Sequence, residues 1–114
     1  MDCIFCKIAA RKLPAKLIYE DDAVVAFRDI NPVAPTHILI IPREHVETVN
    51  DLETLSHAEL VGRLHLVAAK LAAQEKLSER GYRLVLNCGP EAGQAVFHLH
   101  LHLIGGRKLS WPPG

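Results

Sequence analysis

Apolar and polar residues alternate strictly near the end of the chain, in His98-Leu99-His100-Leu101-His102-Leu103-Ile104. A period of two belongs to a strand, whose side chains point to opposite faces in turn. The pattern predicts a strand over residues 96–104, ended by Gly105-Gly106. His98, His100 and His102 then share one face, and Leu99, Leu101 and Leu103 pack into the core on the other. A second period governs the middle of the chain. Leu60, Val61, Leu64, Val67, Ala68 and Leu71 recur at helical spacing and predict one long amphipathic helix. Ser56 and Glu59 form a capping-box pattern at its start, and Gly81 supplies a stop.

The remaining elements are shorter. Ile4, Phe5 and Ile8 suit a short helix over residues 3–11, with Asp2 as its cap. Residues 17–20 and 23–28 read as two strands joined at Glu20-Asp21-Asp22, a hairpin. Asn31-Pro32 and Ala34-Pro35 stiffen the loop that follows. Residues 37–41 are apolar almost throughout, which predicts a central strand covered on both faces and ended by Pro42. A fourth strand is expected over residues 82–87, then a glycine-rich loop to Gln94. The tail, residues 108–114, holds Trp111 and Pro112-Pro113 and cannot continue a helix or a central strand. Together these predict an α+β fold with about five mainly antiparallel strands, one long helix and one short one.

Composition narrows the class. The 114 residues are 49% apolar, enough for one core and one domain spanning residues 1–114. Thirteen basic residues balance thirteen acidic ones, and no basic block occurs, which argues against a general nucleic-acid binder. No apolar run approaches the roughly 20 residues that span a bilayer, so no membrane partner is expected. The acidic start lacks an apolar core, so no cleavable signal peptide is expected. Three cysteines, an odd number, fit a reduced cytoplasmic protein better than a disulfide framework.

Seven histidines in 114 residues change the picture most. Three on alternate positions, roughly 7 Å apart, line one groove. Such a face could be plain solvated surface, but Thr, Lys or Glu would serve there equally well. It could bind a metal, although three rings in a row on one strand diverge rather than converge on one ion. It could act on a phosphate, since neutral imidazole is a nucleophile and its conjugate acid a donor to phosphate oxygens. The lead-in Gly93-Gln94-Ala95-Val96 favours this third reading. Its glycine lets a ligand approach, and successive N–H groups can cradle an anion. Asn87 and Gln94 add polar side chains nearby, and His37 can supply a fourth histidine.

The residues 98–104 match the alternating pattern, His-x-His-x-His-x-x with apolar x, that defines the histidine triad superfamily. The chain resembles its nucleotide-binding branch in further blocks: Phe27-Arg28-Asp29-Ile30, Ala34-Pro35-Thr36-His37, Gly81-Tyr82-Arg83, Gly93-Gln94, Gly105-Gly106-Arg107 and Trp111-Pro112-Pro113-Gly114. The resemblance implies a homodimeric purine nucleoside phosphoramidate hydrolase that releases AMP or GMP from amines, and acts on related acyl-nucleotides. It implies His100 as the nucleophile that forms a nucleotidyl-histidine, His102 as the group holding the phosphate oxygens, and His98 as the residue orienting the nucleophile. It assigns Asp29 to the ribose hydroxyls, and Ile4, Phe5, Ile8, Phe27, Ile30 and Leu39 to the walls of the base pocket. No cofactor is implied for catalysis. Where the family often has serine after Gly-Gln, this chain has Ala95, so an altered leaving-group preference is expected. Two other readings stay open: a dinucleoside polyphosphate hydrolase of another branch, and a nucleotide-binding regulator with vestigial activity.

Cys3-Ile4-Phe5-Cys6 has the spacing of half a tetrahedral zinc site, or of two small core residues. Some bacterial histidine triad proteins resemble this chain in carrying such a pair. By that resemblance His45 and His98 would complete a structural zinc site. Cys88 has no partner in the sequence. His57 and His65 fall on the long helix, where surface or core roles are expected.

Overall fold

The computed structural model describes residues 2–114. Helix α1 (Ile4–Ala9) leads into strands β1 (Leu17–Glu20), β2 (Val24–Arg28) and β3 (Thr36–Pro42). Helix α2 (Leu55–Gln74) is followed by β4 (Tyr82–Val85) and β5 (Leu101–Gly105). The strands form one sheet in the order β1-β2-β3-β5-β4, and every neighbouring pair is antiparallel. No helix among the described residues is long and apolar enough to cross a membrane.

Strand β3 lies at the centre and is buried along its whole length, as its unbroken apolar run requires. Its two faces feed two cores. Ile38 and Ile40 join Val24, Ala26, Leu101 and Leu103 beneath Leu64, Val67, Ala68 and Leu71 of α2. Leu39 and Ile41 join Val25 and Phe27 on the opposite face, beneath Phe5, Ile8 and Ala9 of α1. The sheet therefore separates a long-helix layer from a short-helix layer, and the histidine face belongs to the second.

Several local expectations are corrected. The cap of α1 is Cys3, whose Sγ accepts a hydrogen bond from the Cys6 amide at 3.3 Å; Asp2 does not cap it. Thr54, not Ser56, caps α2, accepting from the His57 amide at 3.0 Å. A capping box does form, but at Thr48 and Asp51, around the single turn Val49–Asp51. Helix α2 ends well before Gly81: Lys76 takes a left-handed conformation (φ 62°), and the Leu77 amide bonds the Ala72 carbonyl.

The strand predicted over residues 96–104 is regular only from Leu101. Its partner β3 ends at Pro42, and the Leu99 amide instead donates to Val46 O at 2.7 Å. The in-and-out alternation nevertheless persists through the irregular part: Leu99, Leu101 and Leu103 are all buried in the α2-side core. Strand β4 also stops two residues earlier than expected, at Val85.

Candidate active site

A cleft of about 480 Å³ opens on the short-helix side of the sheet. Ile4, Phe5 and Ile8 of α1 form one wall, Phe27 and Leu39 the floor, and Asp29, Ile30 and Asn31 the rim after β2. Asn87, Gly93, Ala95 and Val96 close the far side, with His100 and His102 at the end. Phe5 meets Phe27 edge-on with centroids 5.5 Å apart, and meets His100 in the same way at 5.1 Å. Ile30, 89% exposed, projects at the mouth rather than forming a buried wall.

Hydrogen bonds assign the tautomer of each ring. His100 Nδ1 lies 2.7 Å from the His98 carbonyl, which can only accept. Nδ1 therefore carries the proton, and the lone pair sits on Nε2. His37 Nδ1 accepts from the Val33 amide at 3.1 Å, so its Nε2 carries the proton. That Nε2–H donates to His102 Nδ1 at 2.9 Å, with Asp29 Oδ2 at 3.4 Å as an alternative acceptor. His102 Nδ1 thus accepts, and its Nε2–H remains as a donor. Within one cleft, neighbouring rings 5.0 Å apart offer one free lone pair and one free N–H.

Burial disfavours the charged forms of His102 and His37. It pushes His102 down to about 4, helped by the His100 and His37 rings, and pushes His37 below its ordinary value against the pull of Asp29. Asp29 is partly committed: its Oδ1 accepts from the Asn31 amide at 2.8 Å.

Of the two places expected for His98, the groove and the cysteine cluster, its side chain takes the second. Its ring is fully buried and does not line the cleft. Nε2 donates to Pro42 O at 2.8 Å, which leaves the lone pair on Nδ1. That atom lies 3.3 Å from Cys3 Sγ, 3.5 Å from Cys6 Sγ and 3.2 Å from His45 Nδ1. His98 meets His100 through its backbone carbonyl, not through its ring. The four side chains present ligand atoms within 4.8 Å of one another. A tetrahedral zinc with ordinary bond lengths has edges of roughly 3.3 Å between nitrogens and 3.6 Å between nitrogen and sulfur. The distances present, with Cys6 Sγ–His45 Nδ1 at 3.4 Å, match those edges. The donor set fits a tetrahedral divalent ion.

Gln94 also departs from expectation. Its side chain is buried in the loop: Nε2 donates to the Glu47 and Val96 carbonyls, and Oε1 accepts from the Gly89 amide. The Gly93 and Gln94 amides bond back to Pro90 O and Gly89 O, so they do not cradle a ligand. Both Gly89 and Gly93 have φ of 87°, the backbone freedom that lets this loop fold under itself. The Ala95 and Val96 amides engage no acceptor among the described residues and remain for an anion. Leu13, Pro14 and Ala15 line the cleft without having been expected there, because the segment after α1 gave no periodic signal. Asn87 lines the cleft as expected. Cys88 is a free thiol.

Comparison with known proteins agrees with this geometry. A model of the HIT domain family matches residues 10–109, and the chain belongs to that family. It is 52% identical to the purine nucleoside phosphoramidase of Escherichia coli (strain K12) over 108 residues, 95% of this chain and 90% of that protein. The crystal structure of a HIT family hydrolase from Legionella pneumophila superposes with a TM-score of 0.96 at 52% identity, covering 99% of this chain and all of that one. A histidine triad nucleotide-binding protein from Candida albicans superposes with a TM-score of 0.83 at 32% identity, covering 97% of this chain and 83% of the other.

Proposed function

We propose that this chain hydrolyses the P–N bond of purine nucleoside phosphoramidates through a nucleotidyl-histidine on His100. The observation that carries this reading is the pair of assigned tautomers: a lone pair on His100 Nε2 beside an N–H on His102 Nε2, at the closed end of an apolar cleft. The apolar walls suit a purine, and Asp29 at the rim suits the ribose hydroxyls. His102 Nε2–H and the Ala95 and Val96 amides hold the non-bridging phosphate oxygens. His100 Nε2 attacks phosphorus, and the P–N bond to the amine breaks as its nitrogen takes a proton from solvent, so that it leaves as the neutral amine; the water of the second step returns that proton. The ring gains positive charge as the new P–N bond forms, and the His98 carbonyl, already bound to Nδ1–H, stabilises it. Water then cleaves the His100–phosphorus bond, releasing the nucleoside monophosphate and restoring the lone pair.

The metal that Cys3, Cys6, His45 and His98 would hold is zinc, given two thiolates and two imidazoles at tetrahedral spacing. When bound, it supplies structural cross-linking. The active form is read as a homodimer. Its support is an exposed area of 7055 Å² for one chain, against roughly 6,200 Å² for a compact monomer of this mass, together with Leu55, Leu66 and Trp111 standing in solvent.

The experiment is AMP release from an adenosine phosphoramidate by the wild type and by His100→Ala. Loss of turnover by about 10³-fold or more in the variant, with a nucleotide adduct trapped on His100 of the wild type, is the expected result. Equal turnover in both proteins would remove His100 as nucleophile. AMP binding without turnover in the wild type would make the cleft a binding module.

A further inference from the structure

Three links join the Cys3–Cys6–His45–His98 cluster to a cleft that none of its four side chains lines. First, His98 is held at both ring nitrogens, by Pro42 O on Nε2 and by the cluster on Nδ1, while its carbonyl grips His100 Nδ1–H at 2.7 Å. Fixing this ring fixes the carbonyl that orients the nucleophile. Second, Phe5 stands between the two cysteines on α1 and meets the rings of both His98 (6.0 Å) and His100 (5.1 Å) edge-on. Third, α1 has only six residues, too few to hold a helix by itself, and Cys3 is its cap. The thiols thus fasten the element that walls the base site.

We propose that Cys3, Cys6 and His45 are positioning residues for the reaction, acting on nucleotide affinity through Phe5 and on the nucleophile through the His98 carbonyl. This rests on the zinc reading above. An ion drawing the four ligands together locks both links at once; without it, α1 and the His98 ring are joined by thiol–imidazole contacts and the edge-on contact of Phe5. Outer partners of this kind typically matter by 10- to 100-fold.

The test uses the full chain purified without chelator. Metal content, AMP affinity by calorimetry, and KM and kcat on an adenosine phosphoramidate are measured for four samples: wild type, wild type after chelation, wild type after zinc is returned, and His45→Ala. The expected result is about one zinc per chain in the wild type. Its removal should raise AMP Kd and KM about tenfold and lower kcat about tenfold, with recovery on returning zinc to the wild type but not to His45→Ala. A cluster that only stabilises the fold would lower kcat in proportion to the folded fraction and leave Kd and KM untouched; that outcome overturns the proposal. Zinc present but without effect on any of the three constants overturns the coupling and leaves the metal reading standing. No zinc in the wild type removes both. Should His45→Ala fail to fold, the chelated and restored wild type gives the same decision.

Discussion

His98 and His100 sit two residues apart on one segment and do opposite things. His98 carries its proton on Nε2 and turns Nδ1 toward two thiols and a second imidazole. His100 carries its proton on Nδ1 and keeps Nε2 free in the cleft. The residue type is the same, and the difference lies in which backbone carbonyl each ring meets: Pro42 O for one, His98 O for the other. A carbonyl accepts only, so it decides the tautomer, and the tautomer decides whether the lone pair faces the thiols or the cleft. The comparison teaches that the alternating histidines are not three equivalent groups on one face: one turns a lone pair to the cysteine cluster, one turns a lone pair to the cleft and one turns an N–H to it, sorted by their partners.

After the His100→Ala loss, the largest effect that tests this sorting comes from His37. Its Nε2–H holds His102 Nδ1 as an acceptor and so keeps the His102 proton on Nε2. In His37→Ala that constraint is gone, and His102 can carry its proton on the wrong nitrogen. We expect kcat/KM to fall about 10- to 100-fold while metal content stays at the wild-type level. A fall in metal content, or unchanged kinetics, would break the assignment of His37 to the cleft half of the comparison.

Acid should separate the two halves by a smaller amount. His102 has a folded value of about 4 against an ordinary value near 6.5. A depressed histidine favours the folded state fully above pH 6.5, and that advantage is lost as pH falls toward 4. Between pH 7 and pH 5 the wild type should lose on the order of 1 kcal/mol through His102, the partial exposure of the ring screening the full effect. Burial depresses His37 as well and adds loss in the same direction. Urea midpoints at the two pH values measure it, with His102→Gln as reference. An equal loss in that variant would show that His102 is not the source.

How much of this the sequence carries follows from the range of the forces involved. The period of 3.6 in α2 and the period of two through Leu99, Leu101 and Leu103 are local patterns, and both survive folding unchanged. The buried centre of β3 was equally legible, because a strand covered on both faces needs apolar residues at every position. The family was legible through the triad, and so was the presence of His100 and His102 in one cleft. What escaped depends on distant partners. The irregular entry to β5 is set by Val46 O, some fifty positions away. Gln94 looked like a ligand contact because it is polar and beside the glycines, but the carbonyl of Glu47 claims its amide. Thr54 and Ser56 are both good caps in isolation, and only the path of the chain into α2 chose between them.

The smallest effect is expected at Ala95, which lines the cleft and leaves its amide unengaged among the described residues. The side chain stops at Cβ, so this position can contribute backbone to the phosphate but no hydroxyl to the departing amine. Ala95→Ser adds one donor and acceptor without altering His100, His102 or the Cys3–Cys6–His45–His98 cluster. A new hydrogen bond between neutral partners is worth about 1 kcal/mol, which is less than a tenfold change in rate. The change should fall on kcat/KM ratios among phosphoramidates with different amines, leave AMP affinity as it was, and leave metal content unaltered. Uniform change across all amines would place the hydroxyl on the phosphate instead, and would mean that the leaving group departs elsewhere than past residue 95.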